Sequence, residues 1–190
     1  MKKNKHITAI ILAGGKSSRM GTDKGFVNYK NKPFAQRIIE TVRPLVSEII
    51  IISNNTNYDI FGLKRFEDLI ENAGPLAGIY TGLQYSKTEN NLIVSCDIPL
   101  ISSEVLTLLL HNISNESDVI QLESQGKTMP LIALYKKQCE PLFFAELNNG
   151  ERSVRKALEK CKVTTIKVEK ALEKFTANIN TKQELEALEK

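Results

Sequence analysis

The segment Leu12-Ala-Gly-Gly-Lys-Ser-Ser-Arg-Met-Gly-Thr-Asp-Lys24 carries the strongest chemical signal in this chain. It follows an apolar run, Ala9-Ile-Ile-Leu12, that reads as a buried strand. Glycines allow the main chain to approach an anion closely and turn its N–H groups toward it. Arg19 and Lys24 add full positive charges to the same loop. Such a loop suits a nucleoside triphosphate. A second feature, Cys96-Asp97-Ile98-Pro99, ends another apolar strand, Leu92–Ser95. A carboxylate at a strand end projects into the crevice where open α/β sheets bind ligands. Magnesium keeps several waters and often uses one or two carboxylates plus substrate phosphate, so Asp97 alone suffices as a protein ligand. Its other reading is as a cap for the helix that starts a few residues later.

The loop matches neither of two better-known phosphate signatures. Gly15-Lys16-Ser17 imitates the end of a P-loop, but Ile10 stands where that motif needs glycine. The dinucleotide pattern G-x-G-x-x-G fails because Gly14 and Gly15 are adjacent and Gly21 comes next. The spacing resembles the signature loop of nucleotidyltransferases.

These residues need a scaffold that gathers them, and strand-like and helix-like segments alternate accordingly. Ile7–Leu12 is the first strand, and a helix follows Pro33 to about Pro44. Ile49 to Ile52 are four consecutive isoleucines, the pattern of a strand covered on both faces. A short strand over Leu63–Phe66 ends at Glu67-Asp68, and a helix runs from Pro75 to about Ser86. Asn91–Ser95 is another strand, and Ser102 or Ser103 caps the next helix. Asp118–Leu122 and Met129–Tyr135 flank a turn as an antiparallel insertion. Helices over Cys139–Leu147 and Ser153–Lys160, a strand over Val163–Val168 and a helix from Lys182 to Lys190 complete the chain. The expectation is one α/β domain over residues 1–190 with a mostly parallel central sheet and helices on both faces. The glycine loop, Asn54, Asp68 and Asp97 then share one edge. Asp68 makes either a base or ribose contact or a local turn bond. Gly74-Pro-Leu-Ala-Gly78 either contacts nucleotide or allows close packing.

Composition excludes several classes. At 190 residues with 42% hydrophobic content, the chain can bury a sizeable core. A net charge of +4, with lysines dispersed among glutamates, gives no case for nucleic acid. No apolar run approaches the roughly 18 residues of a membrane span, and the basic start lacks the apolar core of a signal peptide. Cys96, Cys139 and Cys161 are widely spaced and odd in number, which argues against a disulfide framework or zinc site. His6 and His111 have no partner at ligand spacing. Neither a Ser-His-Asp nor a Cys-His nucleophile is supported.

Taken in order, the loop Leu12–Lys24, Glu67-Asp68, Gly74-Pro-Leu-Ala-Gly78, Cys96-Asp97-Ile-Pro99 and Asn178-Ile-Asn-Thr181 resemble the molybdenum cofactor guanylyltransferases, the MobA type. The likeness covers nearly the whole chain and is strongest over the first hundred residues. It implies a Rossmann-like nucleotidyltransferase fold and transfer of GMP from GTP to molybdopterin carrying molybdenum. Pyrophosphate would be released and the guanine dinucleotide cofactor formed, with Mg²⁺ required. It implies that Leu12, Ala13, Gly14 and Gly15 line GTP, that Lys24 and Arg19 face its phosphates, and that Asp68 helps hold the nucleoside. Asp97 would bind both GTP and Mg²⁺, while Arg152, Asn178 and Asn180 would lie on the molybdopterin side. Residues up to about 100 would form the GTP half and the remainder the molybdopterin half. The implied setting is the cytoplasm, with delivery to molybdoenzyme maturation proteins. Related cytidylyltransferases show Ala-Ala-Gly where this chain has Ala13-Gly-Gly15, so the likeness points to guanine. Relatives place an asparagine near the end of the second strand, where this chain has Ile52-Ser53 followed by Asn54 and Asn55. Transfer from CTP to molybdopterin, or from a nucleoside triphosphate to a sugar phosphate, is the alternative enzyme reading. A non-catalytic nucleotide-sensing module is the alternative of another class.

Overall fold

The computed structural model describes residues 4–14 and 23–187. Gly15 and Arg19 lie outside them. The expected first strand is β1 (Asn4–Leu12), and the four isoleucines fall in β4 (Val46–Ile52). Between them come a small hairpin, β2 (Asn28–Tyr29) with β3 (Lys32–Pro33), and helix α1 (Phe34–Val42). There follow β5 (Lys64–Phe66), α2 (Gly74–Tyr85), β6 (Asn90–Ser95) and α3 (Ser103–His111). The second half contributes β7 (Val119–Ser124), β8 (Lys127–Lys136), α4 (Glu140–Asn148), α5 (Val154–Leu158), β9 (Val163–Lys167) and α6 (Lys182–Ala187).

The main sheet has seven strands in the order β5-β4-β1-β6-β8-β7-β9. β5, β4, β1 and β6 are mutually parallel, as are β7 and β9, while β8 runs against both its neighbours. The expected antiparallel pair is therefore built into this sheet. Its turn uses Gln125 and Gly126, both with positive φ (51° and 72°), the twist that a two-residue hairpin loop favours.

Alternation along the strands feeds two cores. Ile49 and Ile51 pack with Ile11, Ile38, Val42 and Leu106 on the face covered by α1 and α3. Ile50 and Ile52 pack with Ile10, Leu76, Leu83 and Phe143 on the face covered by α2 and α4. Helices thus cover both faces, as a run of isoleucines requires. The three cysteines carry free thiols, two of them buried. Among the described residues no helix is long and apolar enough to cross a membrane.

Helix α2 lies unusually close to β1. A Cβ added at Gly82 would stand 2.4 Å from Ile10 Cγ2 and 3.3 Å from Ile10 Cβ. Because Cγ2 is attached directly to the β-branched Cβ, itself 3.3 Å away, the side chain cannot simply swing aside. Gly82→Ala should destabilise the protein by about 1–3 kcal/mol, the usual effect of overpacking a core. Chemical unfolding reads this directly; a midpoint equal to that of the parent would show that the helix shifts freely.

Candidate active site

The strand ends build one rim. Leu12 at the end of β1 is in register with Ile52 of β4 and Ser95 of β6. Beyond the strands the lacing continues: Ala13 N–H donates to the Ile52 carbonyl at 2.9 Å, and Cys96 N–H donates to the Leu12 carbonyl at 3.0 Å. The chain from β1 turns to β4 on one side, and the chain from β5 returns through α2 to β6 on the other. The rim above β1 is therefore the point where strand order reverses, the usual ligand crevice of such sheets.

A cavity of about 350 Å³ opens there, lined by Leu12, Gly14, Asn54, Asp68, Gly74 and Gly78 among others. That volume is at the lower end of small-ligand sites. A shallower groove of about 330 Å³ shares Gly14, Asn54 and Asp68 and extends to Ala13, Asp23 and Asn55. Gly74, Pro75 and Gly78 line the cavity directly. Gly78 also packs tightly: an added Cβ would lie 3.2 Å from Leu12 Cδ2. The close packing expected of that segment is thus present, and the same residues line the cavity.

Asp68 follows β5, and its N–H donates to Asn54 Oδ1 at 2.8 Å. Its Oδ1 is buried and meets no donor among the described residues. Burial raises its carboxyl above the usual carboxylate range. An unmet buried acceptor is costly, and an N–H or O–H from a bound nucleoside would relieve it. Asn54 lines both cavity and groove. Asn55 is occupied elsewhere, donating from Nδ2 to Asp23 Oδ2 at 2.9 Å.

Lys24 opens a 3-10 turn, Lys24–Phe26, capped by Asp23. Its ammonium lies 3.6 Å from Asp97 Oδ2, with the two side chains 20% and 16% exposed. It also donates to Asn180 Oδ1. Asp97 follows β6; its carbonyl accepts from Ile179 N–H at 2.8 Å, and its Oδ1 is buried without a donor among the described residues. Ser102, not Asp97, caps α3, accepting from Val105 N–H at 3.3 Å. Among the described residues no group of three His, Cys, Asp or Glu side chains is arranged to hold a metal. A magnesium ion bound mainly by water and phosphate needs no such group, and a single carboxylate with an unmet oxygen, such as Asp97, would fit it.

Of the residues singled out from sequence, Lys24, Asp97 and Asn180 converge, while Leu12, Gly14 and Asp68 line the adjoining cavity. Ala13 lines the groove beside it. Asn178 is exposed, one residue before the buried Ile179. Arg152 lies apart from that cluster. Its carbonyl is 3.8 Å from where a Gly74 Cβ would stand, and its guanidinium donates to the Leu147 carbonyl at 2.7 Å near the end of α4. Sequence reasoning missed Asp23 and Tyr58, which are bonded to each other, with Asn55 also bonded to Asp23, next to Lys24. The one local signal was an aspartate directly before the lysine, where it could cap a turn.

A doubly wound sheet that gathers a lysine–carboxylate pair and a small-ligand cavity at its strand ends is the build of a nucleotidyltransferase. The chain belongs to the MobA-like NTP transferase family, whose domain profile matches residues 9–164. A probable molybdenum cofactor guanylyltransferase of Flavobacterium johnsoniae is 38% identical over 182 residues, covering 96% of each chain. Another so named, from Clostridium perfringens SM101, is 40% identical over 190 residues, covering 95% of each. Among solved structures, a protein of Aquifex aeolicus matches with a TM-score of 0.80 at 27% identity, over 92% of this chain and 94% of that one. Molybdopterin-guanine dinucleotide biosynthesis protein A of Archaeoglobus fulgidus shares the fold, with a TM-score of 0.81 at 21% identity over 95% of each chain.

Proposed function

We propose that this protein transfers GMP from GTP to molybdopterin carrying molybdenum. A terminal phosphate oxygen of the pterin forms a bond to the α-phosphorus of GTP, the bond from α-phosphorus to the bridging oxygen breaks, and pyrophosphate departs with the electron pair. The observation that carries this reading is the Lys24 ammonium 3.6 Å from the Asp97 carboxylate, on the rim beside the cavity. The names of the relatives identify the nucleotide and the acceptor.

In this reading Leu12, Ala13, Gly14 and Gly15 approach the nucleotide with their backbones, and Asp68 accepts from the nucleoside. Lys24 and Arg19 face the phosphates and stabilise charge that develops on the leaving group. Asp97 would hold Mg²⁺, which draws charge from phosphate oxygens as a Lewis acid. Asn178 and Asn180 stand toward the pterin, and Arg152 would reach it only by giving up its bond to Leu147. The acceptor phosphate is already ionised at neutral pH, so no side-chain nucleophile is needed. We place the reaction in the cytoplasm, with the product passed to molybdoenzyme maturation proteins, and we read residues 1–190 as one domain with its GTP side mainly before residue 100.

Pyrophosphate release should require GTP, Mg²⁺ and molybdopterin together. Equal release with CTP would move the assignment to cytidylyl transfer, and release with a sugar phosphate as acceptor would move it outside this chemistry.

Asp68 gives a test with a defined sign. A carboxyl raised in the folded state favours folding below its unfolded value and loses that contribution as pH rises through the folded value. Asp68→Asn should therefore melt above the parent at pH 7, with the difference closing as acid protonates Asp68. GTP affinity should fall by about 10- to 100-fold, the loss of a hydrogen bond to a charged acceptor. A variant that binds GTP like the parent removes Asp68 from the nucleoside site.

A further inference from the structure

The carboxylate of Asp23, one residue before Lys24, is held by three donors. Gly25 N–H reaches Oδ1 at 3.1 Å, Asn55 Nδ2 reaches Oδ2 at 2.9 Å, and the Tyr58 hydroxyl donates to Oδ1 at 2.5 Å. The first bond folds the lysine turn; the other two tie it to the segment after β4. Tyr58 belongs to a 3-10 turn, Thr56–Phe61, that Asn55 caps by accepting from Asn57 N–H at 3.0 Å. Its residue is fully buried, with its ring centroid 4.7 Å from Phe26 and 6.0 Å from Phe61.

Packing alone would be served by phenylalanine here. A buried phenol needs a partner, and this one has a carboxylate, the stronger kind of acceptor. The chain opposite is shaped to it: a Cβ at Gly25 would stand 2.0 Å from the Tyr58 oxygen. The same hydroxyl lies beside the Cys96 thiol, the residue before Asp97. One buried oxygen thus bonds to Asp23 and packs against Gly25, on either side of Lys24, and interacts electrostatically with Cys96, the residue before Asp97.

We propose that Tyr58 is a positioning residue whose hydroxyl, bonded to Asp23 and set beside Cys96, fixes the spacing between the Lys24 ammonium and the Asp97 carboxylate. This rests on the assignment of Lys24 and Asp97 to the triphosphate. Displacing a charged group by about 1 Å in a preorganised site can cost roughly 10²-fold in rate. The cavity around Asp68 is lined by none of Asp23, Lys24, Asn55 or Tyr58.

Tyr58→Phe keeps the ring and removes the bond. Its kcat should fall by about tenfold or more while the KM for GTP stays within about twofold, the pattern of an interaction that matters in the transition state. Amide exchange over residues 24–27 should accelerate, with residues 49–52 of β4 unchanged. In an Asp23→Ala background, Tyr58→Phe should add little, because both act through one bond. If Tyr58→Phe does not fold, Asp23→Asn reads the same bond from the other end, with the same expected split.

A folded Tyr58→Phe with parental kcat overturns the proposal, as does exchange that rises equally in β4, which would make Tyr58 a core residue only. Lys24→Ala measured alongside separates the two claims. If that variant is active, the underlying assignment fails; if it is inactive and Tyr58→Phe is not, only the role of Tyr58 fails.

Discussion

Lys24→Ala should lower turnover by about 10²–10³-fold, comparable to losing one preorganised donor from a reacting centre. The position of the side chain makes the loss specific. Lys24 is held in a short turn by the Asp23 cap and directed at Asp97 and Asn180, so its ammonium is placed before substrate arrives. A cation fixed in advance needs no reorganisation as charge moves onto the departing pyrophosphate. The fold should survive, because Lys24 belongs to neither hydrophobic core. Lys24→Arg is not expected to restore full activity: a planar fork does not fit a site built around a point charge. Single-turnover formation of pyrophosphate, with GTP affinity measured separately, tests this. Turnover within threefold of the parent would take Lys24 out of the reaction.

The parts of this arrangement that sequence could reveal are those with local signatures. Ile49 to Ile52 announced a strand buried on two faces because a period of two forces alternate residues into opposite cores. Pro75 marked the start of α2, and the pair Ser102-Ser103 the start of α3, with Ser102 as the cap. Asp97 and Lys24 were legible as rim residues because each ends or follows a strand-linked segment, and the structure brings them together. Long-range pairing was not legible. Nothing in Val119–Lys136 says that β8 enters the sheet beside β6 and leaves β7 farther out. The β2–β3 hairpin was missed because its turn, Lys30-Asn31, places a lysine at φ 48°, where no propensity announces it. Nothing local singled out Tyr58; its partner Asp23 lies in the loop before Lys24, and only the fold joins them. Arg152 and Asn180 shared a family resemblance, but local geometry separates their contacts: one guanidinium closes the end of α4, and one amide receives Lys24.

Asp97→Asn should reverse the effect of magnesium on GTP binding. The substitution keeps the shape of the side chain and leaves the backbone bond from Ile179 to residue 97 in place. Ile179 therefore stays anchored among Val27, Tyr29 and Phe34, and the fold should hold. What changes is charge. Without metal, the parent sets a carboxylate against a polyanion, so the uncharged variant should bind GTP as well or better. With Mg²⁺ the order should invert, because only the parent offers the ion an anionic oxygen. Removing a mere neighbour of a metal ligand typically costs about 10–100-fold in metal affinity or activity, and loss of the ligand itself should exceed that. Lys24 cannot compensate, since its charge repels the ion that Asp97 would hold. Calorimetric titration of GTP into both proteins, with and without Mg²⁺, yields four affinities whose crossing is the expected result. Two proteins that respond identically to the ion would place the metal elsewhere and leave Asp97 as a partner for Lys24 alone.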